Sequence, residues 1–254
     1  MSKRGKRRRT FLLFAGKGSE VKVYRPGIFR QKKYFFRMKK MIRHIAFDFD
    51  GTLADSVDFC LAVFDRVFGK YMGSKAPERE EVYNTFGMNE PGVIRHFMGE
   101  WNPAAEEDFY AFHRALHKEY CPEPFPGTME MLEFLRSRKV VLSIITGRSE
   151  TTCNISLEFL NMKHFFVSAQ YGSPEKNDKG AQLAAVMEKY GLKPEELVYI
   201  GDAVSDVTAC RKAGVVCLSA AWASTARISE LEAINPGLVF RSVEEMQKYI
   251  EKNI

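Results

Sequence analysis

The sequence predicts an α/β protein in which a doubly wound parallel sheet carries helices on both faces. Short apolar runs of strand length alternate along the chain with segments whose apolar residues recur at helical spacing. Alternation of this kind produces parallel strands joined by crossover helices. A block of helical segments without strands interrupts the pattern after the first strand, and this block predicts an inserted helical domain.

The apolar runs lack the polar alternation of a half-exposed strand, which is typical of strands buried on both faces. We predict strands at residues 45–49, 140–146, 165–169, 198–200, 215–218 and 238–240. The helical segments have apolar residues at core spacing and are separated by Gly, Pro and Asn. We predict helices at residues 55–71, 78–87, 90–99, 104–120, 128–138, 151–160, 179–190, 204–213 and 242–252.

A proline-rich segment ends the helical block. It holds three prolines between residues 122 and 126 and should form a semi-rigid link. We therefore divide the chain into three parts. They are a disordered basic extension at residues 1–40, a core at residues 41–57 and 125–254, and an all-helical insertion at residues 58–124.

Two carboxylates stand at the end of the first predicted strand. Asp48 and Asp50 follow the apolar residues directly, and Gly51 allows the chain to turn sharply after them. Burying carboxylates costs free energy unless a cation or a hydrogen-bonded partner replaces the lost water. The position of these two acids therefore indicates a cation site or a reaction centre.

Polar groups also end two later strands. Thr146 closes one of them, and Asp202 closes another, with Asp206 near the start of the following helix. Because the carboxyl ends of parallel strands meet at one edge of a sheet, we expect these groups to lie beside Asp48 and Asp50. Oxygen ligands at this density suit a hard cation, and they favour Mg²⁺ in particular.

Together these motifs resemble those of the haloacid dehalogenase-like (HAD) hydrolase superfamily. Its Asp-x-Asp-Gly-Thr motif matches residues 48–52, and its strand-ending Ser or Thr matches Thr146. Its Lys at the start of a helix matches Lys179, and its Gly-Asp-x-x-x-Asp motif matches residues 201–206. The resemblance covers residues 41–250. It implies a Rossmann-like core whose helical insertion is a cap that closes over the site and selects the substrate.

The resemblance implies that Asp48 is a nucleophile that attacks phosphorus and becomes an aspartyl phosphate. Asp50 would protonate the leaving alcohol and then deprotonate the water that breaks the intermediate. The phosphoryl oxygens would be bound by Thr146, Gly147 and Lys179. The Mg²⁺ ion would be held by Asp48, the main-chain carbonyl of Asp50, Asp202 and Asp206, the last directly or through water.

The second acid, Asp50, separates two kinds of relative. Those that cleave carbon–halogen bonds lack it, because a halide leaves without a proton. Its presence favours a phosphatase that acts on a small phosphorylated metabolite. Trp222 and the Asn-Pro-Gly at residues 235–237 resemble the phosphoglycolate phosphatase-like branch. The alternatives are a phosphomutase of the β-phosphoglucomutase type and a non-enzymatic scaffold with a nucleic-acid-binding tail.

Two positions leave alternatives open. Lys176 lies three residues before Lys179 and is a second candidate for the motif lysine, although Lys179 lies closer to the helix. Arg148 follows Thr146-Gly147, where similar metabolite phosphatases often have Asn directly after the Thr. Its guanidinium either adds positive charge near the substrate or caps a surface turn.

The net charge of +6 is unevenly distributed. Residues 1–40 hold 15 Lys or Arg and one acid, Glu20, whereas residues 41–254 hold 23 basic and 31 acidic residues. Attraction to nucleic acid or to an acidic membrane would therefore reside in the tail. Four interpretations of this tail, residues 1–40, stay open. It is an artefact of gene prediction, with the protein starting at Met38 or Met41, or it is a solvated arm, an organelle-targeting peptide or a small ordered subdomain.

The five cysteines are odd in number and contain no Cys-x-x-Cys, which disfavours disulfides and zinc and favours the cytoplasm. The sequence contains no run of 18 apolar residues, so we predict no membrane span. His113 and His117 are spaced like half of a metal site. Without a third ligand nearby, we interpret them as a pair on a helix surface.

Overall fold

The computed structural model describes residues 42–175 and 178–253. The predicted basic extension at residues 1–40 and the alternative lysine, Lys176, lie outside the described residues. In the described part of the chain, no helix is both long and apolar enough to cross a membrane.

A six-stranded parallel sheet forms the centre of the fold, as predicted. Its spatial order is β3-β2-β1-β4-β5-β6, so β1 lies between β2 and β4. The strands are β1 (His44–Phe47), β2 (Val141–Ile145), β3 (Ser168–Gln170), β4 (Leu197–Gly201), β5 (Val216–Ala220) and β6 (Val239–Phe240). The carboxyl ends of β1, β2 and β4 are adjacent, which places the three predicted motif segments at one edge of the sheet.

Helices cover both faces of the sheet and form the insertion after β1. Within the insertion lie α1 (Val57–Met72), α2 (Arg79–Tyr83), α3 (Glu90–Met98) and α4 (Pro103–Tyr120). The remaining helices are α5 (Thr128–Ser137), α6 (Glu150–Phe159), α7 (Lys179–Tyr190), α8 (Val204–Ala213), α9 (Ile228–Ile234) and α10 (Val243–Glu251). The predicted alternation of strands and helices is therefore confirmed.

The central strand is buried on both faces, and alternate residues contact different cores. Ile45 and Phe47 belong to the larger apolar cluster, which extends into the helical insertion. Ala46, on the opposite face, belongs to a smaller cluster with residues of α7 and α8. All three are fully buried. This two-sided burial explains why β1 is a continuous apolar run.

The helices α1–α4, which we call the cap helices, pack around aromatic residues. Phe64 of α1 contacts Phe109 of α4 with ring centroids 4.6 Å apart, and Phe68 stacks on Phe64. These residues are continuous with the larger core of the sheet. The helical nature of the insertion is as predicted, while its division from the core at residues 57/58 and 124/125 stays a prediction.

Two elements differ from the prediction in position or length. The third strand begins at Ser168, because Lys163–Phe165 form a 3₁₀ turn that buries Phe165. The second cap helix is only five residues long and ends at Tyr83, where the chain enters turns that border the cavity described below.

One helix was not predicted at all. Helix α9 follows β5, and its Ile228, Leu231 and Ile234 have the spacing of one helical face. The segment has only seven residues, and flanking Ala, Ser and Thr weaken the pattern. Packing of the fully buried Leu231 against the smaller core stabilises this short helix.

The interpretation of His113 and His117 as a surface pair is wrong. Their exposed fractions are 1% and 0%, and the two rings stack with centroids 5.6 Å apart. Helix α4 packs against α1 on one side and α6 on the other. Phe59 of α1 contacts both histidine rings, and the Ser156 hydroxyl of α6 lies 3.0 Å from Nε2 of His117.

Two helical glycines provide a matched test of the contact between cap helix α3 and the core. A Cβ atom on Gly92 would lie 2.2 Å from the main-chain oxygen of Pro174, whereas a Cβ atom on Gly69 would meet nothing within 4 Å. We expect Gly92→Ala to lower the free energy of unfolding by about 1–3 kcal/mol through overpacking. Gly69→Ala should raise it by roughly 0.5–1 kcal/mol through helix propensity.

Denaturant unfolding of both variants and the wild type measures these changes. An unchanged or increased stability of Gly92→Ala would contradict the close contact between α3 and the segment at Pro174.

Candidate active site

Asp48 lies immediately after β1 and is held in the plane of the sheet. Its main-chain N–H donates to the oxygen of Ile200 at 2.8 Å, and its Oδ1 accepts from the N–H of Phe49 at 2.8 Å. The residue is 6% exposed. Burial raises the pKa of Asp48 to about 6, while Lys179 opposes this effect and the nearby Asp206 charge adds to it. A cation beside Asp48 would favour the ionised carboxylate.

Asp202 can approach Asp48 because the first motif has a glycine directly after its second acid. Gly51 has a positive φ of 68°, and a Cβ atom there would lie 2.4 Å from Oδ2 of Asp202. Any other residue would therefore have to displace this carboxylate. Burial raises the pKa of Asp202 well above its usual value, and the charge of Asp48 raises it further.

Asp206 is fully buried in the first turn of α8. Its Oδ2 accepts from the main-chain N–H of Ala203 at 3.1 Å, and a Cβ atom on Gly201 would lie 2.3 Å from the same oxygen. The helix therefore begins so that its first turn places a carboxylate directly behind the end of β4. An acidic side chain in the first turn of a helix complements the partial positive charge of the helix N-terminus.

Three carboxylates converge among the described residues in a way that fits a divalent cation. One oxygen from each of Asp48, Asp202 and Asp206 lies within 4.8 Å of the others. The mutual repulsion of these groups contributes to the raised pKa values of Asp48 and Asp202. An oxygen-only donor set that gains stability from added positive charge suits Mg²⁺. The predicted contribution of the Asp50 main-chain carbonyl stays a prediction.

Lys179 is the first residue of α7, whose N-cap Asp178 accepts from the N–H of Ala181 at 3.0 Å. Its Nζ forms an ion pair with Asp48 and donates to Oδ1 of Asp206 at 2.5 Å and to the Tyr199 hydroxyl at 2.9 Å. Burial alone would lower the pKa of Lys179, but the charges of Asp206 and Asp48 raise it above its usual value. The lysine is therefore a fixed positive charge beside Asp48.

Thr146 and Gly147 continue β2 toward the same edge. Thr146 is fully buried, and its hydroxyl oxygen accepts from the main-chain N–H of Arg148 at 3.2 Å. Gly147 lines the cavity beside the carboxylates. A Cβ atom on Gly172 would lie 2.0 Å from the oxygen of Gly147, so this segment is packed closely against the loop that follows β3.

Asp50 and Arg148 form a buried ion pair, and Arg148 also lines the cavity, so its interpretation as a positive charge near the substrate stays a prediction. Arg148 is 3% exposed, so it does not cap a surface turn. Its Nε lies 3.0 Å from both carboxylate oxygens of Asp50, and its Nη2 lies 2.6 Å from Oδ1. Burial alone would raise the pKa of Asp50, but Arg148 lowers it below the usual value. The positive charge of Arg148 is thus directed at Asp50.

A cavity of about 870 Å³ lies between the cap helices and the carboxyl edge of the sheet. This volume is within the usual range of small-molecule sites. The core contributes Asp48, Asp50, Gly147, Lys179 and Asp202 to the lining. The segment from α2 to α3 contributes Tyr83, Asn84, Phe86, Met88 and Glu90. The arrangement can hold a phosphoryl group against Asp48 with its organic portion toward the cap.

Glu90 is a site residue that sequence reasoning missed. It begins α3, is 5% exposed, and its Oε2 accepts from the main-chain N–H of Ser149 at 2.7 Å. Its other oxygen accepts from the Thr152 hydroxyl. The preceding Asn89 donates from Nδ2 to the oxygen of Gly172 at 3.1 Å. The only sequence signal was an acid before proline at a helix start, which is common on surfaces.

Tyr199 and Ser56 were also missed as site residues. The Tyr199 hydroxyl accepts from Lys179 and donates to the oxygen of Ile145 at 3.3 Å, so it supports the lysine from inside the sheet. Ser56 donates from Oγ to Oδ1 of Asp50 at 2.6 Å. Tyr199 sits within an apolar strand run, where an aromatic residue is expected for packing alone.

The chain is similar in sequence to known proteins. Residues 45–220 match the sequence model of the haloacid dehalogenase-like hydrolase family. The chain is 28% identical over 193 residues to a phosphoglycolate phosphatase of Pseudomonas savastanoi pv. phaseolicola, covering 72% of this chain and 71% of that protein. It is 26% identical over 217 residues to a phosphoglycolate phosphatase of Chromobacterium violaceum, covering 82% of this chain and 96% of that protein.

The fold is also similar to solved structures. A haloacid dehalogenase-like family hydrolase from Streptococcus pneumoniae superposes with a TM-score of 0.65 at 24% identity, covering 82% of this chain and 98% of the other. The match to the family model, residues 45–220, extends from β1 to β5 and includes the insertion and all four motif segments. The chain belongs to the haloacid dehalogenase-like hydrolase family.

Proposed function

We propose that the protein is a Mg²⁺-dependent phosphatase, similar to phosphoglycolate phosphatases, that hydrolyses a small phosphorylated metabolite through an aspartyl phosphate on Asp48. The observation that carries the proposal is the position of Asp48. Its carboxylate lies at a buried strand end, in contact with Lys179 and within a group of three carboxylates, at the base of a cavity. The similarity to phosphoglycolate phosphatases supports this activity.

Asp48, Asp202 and Asp206 would hold the Mg²⁺ ion. When bound, the cation supplies positive charge that offsets the repulsion between the carboxylates and the phosphate oxygens. Lys179, at the start of α7, contributes a second positive charge. Thr146 and Gly147, directly after β2, would bind phosphoryl oxygens. Such preorganised charges stabilise the transition state without reorganisation during the reaction.

In the first step, an oxygen of Asp48 forms a bond to phosphorus while the bond from phosphorus to the leaving oxygen breaks. The negative charge of the bound phosphoryl group raises the pKa of Asp50, which Arg148 lowers in the free protein, and Asp50 donates a proton to that oxygen. In the second step, water attacks phosphorus, the bond to Asp48 breaks, and Asp50 accepts a proton from the water. Division of the reaction into two steps lowers a very large uncatalysed barrier.

The first prediction concerns the metal and the nucleophile. The wild-type protein should release inorganic phosphate from p-nitrophenyl phosphate and from phosphoglycolate with Mg²⁺, and excess EDTA should stop the release. Asp48→Asn should lower kcat by at least about a hundredfold, because an amide does not attack phosphorus.

Phosphate release, calorimetric Mg²⁺ binding and circular dichroism of both proteins are the measurements. A wild-type protein that binds no Mg²⁺ and releases no phosphate would contradict the proposal and favour the scaffold alternative. Transfer of the phosphoryl group to a second sugar hydroxyl, in place of phosphate release, would instead identify the phosphomutase alternative.

The second prediction ranks three lysines. Lys179→Met should reduce kcat/KM by an amount equivalent to about 2–4 kcal/mol, as for the loss of one charged donor at a reacting oxyanion. Lys189→Met, on the exposed part of the same helix, is the control and should reduce it by less than about 0.5 kcal/mol.

Lys176→Met should resemble the Lys189→Met control. Steady-state kinetics of the three variants decide the ranking. A larger loss for Lys176→Met than for Lys179→Met would transfer the motif role to Lys176.

A further inference from the structure

The two oxygens of the Asp50 carboxylate have different surroundings. Oδ1 accepts from Nη2 of Arg148 at 2.6 Å, from the Ser56 hydroxyl at 2.6 Å, and from Nε of Arg148 at 3.0 Å. In the part of the chain that the structure describes, Oδ2 accepts only from Nε of Arg148, also at 3.0 Å. Since a carboxylate oxygen has two lone pairs, Oδ1 is saturated while Oδ2 can still exchange a proton.

Each nitrogen of the Arg148 guanidinium has a hydrogen-bond partner within the protein. Nε and Nη2 bind Asp50, and Nη2 also lies 3.5 Å from Sγ of Cys60. Nη1 donates to the Ser156 hydroxyl at 2.8 Å and lies 3.3 Å from Nε2 of His113. Because a guanidinium has five N–H groups, these contacts leave none for a substrate.

Packing further limits the movement of Arg148. Its guanidinium carbon lies 4.4 Å from the centre of the Phe49 ring, and its side chain is 2% exposed. Its partners come from three helices: Cys60 from α1, His113 from α4 and Ser156 from α6. The ion pair therefore connects the residue at the end of β1 to two cap helices as well as to the core.

We propose that Arg148 is a positioning residue for Asp50, which fixes Oδ1 together with Ser56 and thereby presents Oδ2 as the atom that transfers the proton. The inference rests on the phosphatase function proposed above and assigns a role to a residue outside the four motifs.

This arrangement specifies how the proton moves. Asp50 is ionised in its pair with Arg148, so Oδ2 takes up a proton from solvent when the negatively charged phosphoryl group binds beside it. In the first step, that proton leaves Oδ2 for the leaving oxygen as the bond from this oxygen to phosphorus breaks and the bond from Asp48 forms. In the second step, the attacking water forms a bond to phosphorus, the bond to Asp48 breaks, and the water proton moves to Oδ2. Arg148 keeps the same oxygen oriented in both steps without contacting the reacting atoms.

The test uses substrates that differ in their need for a proton. p-Nitrophenolate is a stable leaving group, whereas an alkoxide requires protonation. The second substrate is the alkyl phosphate that the wild-type enzyme hydrolyses with the highest kcat/KM. The measurement is the single-turnover rate of leaving-group release by rapid quench, with Mg²⁺, for the wild type, Arg148→Met, Arg148→Lys, Asp50→Asn and the double variant Arg148→Met/Asp50→Asn.

We expect Arg148→Met to slow release of the alcohol by at least about 30-fold and release of p-nitrophenol by less than about threefold, as for impaired general acid catalysis. KM should stay within about threefold of the wild-type value, because the proposed role does not involve binding. Adding Arg148→Met to Asp50→Asn should cause less than about a threefold further loss, since both changes remove the same function. Arg148→Lys should restore part of the rate.

A control and a second variant separate positioning from folding. Arg136→Met removes an exposed arginine that lies over the Phe165 ring at 4.8 Å, and it should leave both rates unchanged. If Arg148→Met unfolds, Ser56→Ala removes the other donor to Oδ1 and should show the same dependence on the leaving group. Thermal unfolding of each variant identifies which case applies.

Several outcomes would overturn the inference. Equal losses on both substrates, a KM raised tenfold, or losses that multiply in the double variant would assign Arg148 to substrate binding or to general structure. An active wild type whose Arg148→Met variant keeps full rates would refute this inference alone. A wild type without phosphatase activity would refute the proposed function, and the positioning role with it.

Discussion

The structure depends on the burial of several carboxylates at one edge of the sheet. Asp48, Asp202 and Asp206 place oxygens within 4.8 Å of one another, at a site where water is partly excluded. Such a group is unstable unless positive charge lies beside it. Lys179 provides one such charge through its ion pairs with Asp48 and Asp206, and the donor set suits a divalent cation as the second. The glycines of the motifs follow from the same requirement, since a Cβ atom at Gly51 or Gly201 would displace a carboxylate.

Asp48 and Asp50 lie two residues apart but have opposite electrostatic environments. Burial raises the pKa of Asp48, whereas Arg148 lowers the pKa of Asp50. Strand β1 ends at Phe47 and the chain turns at Gly51, so the two side chains contact different partners, Lys179 for Asp48 and Arg148 for Asp50. Two chemically identical groups in one site therefore differ in their affinity for a proton, since their partners differ.

Polar contacts, in addition to apolar packing, hold the cap helices against the carboxyl edge of the sheet. Glu90 accepts hydrogen bonds at the start of α6, and His113 lies beside the guanidinium that holds Asp50. Both contacts are made by side chains that are almost fully buried. Leaving a buried polar group without its hydrogen-bond partner destabilises the folded protein. These contacts therefore favour one well-ordered arrangement of the cap helices on the core.

Local sequence patterns predicted the sheet, the helical insertion and the position of each motif at the end of a strand or the start of a helix. These features follow from local apolar periodicity and from the rule that parallel strands place their carboxyl ends together. The short helix α9 escaped prediction because its packing against the smaller core, and not its own pattern, stabilises it. Those patterns could not predict which cation pairs with which acid, because the partners are distant along the chain. Arg148 and Asp50 are 98 residues apart, and Glu90 and Ser149 are 59 apart, so no local pattern relates them. The burial of His113 and Arg148 was likewise decided by how α4 packs between α1 and α6, because burial of a polar residue depends on partners that only the folded chain brings together.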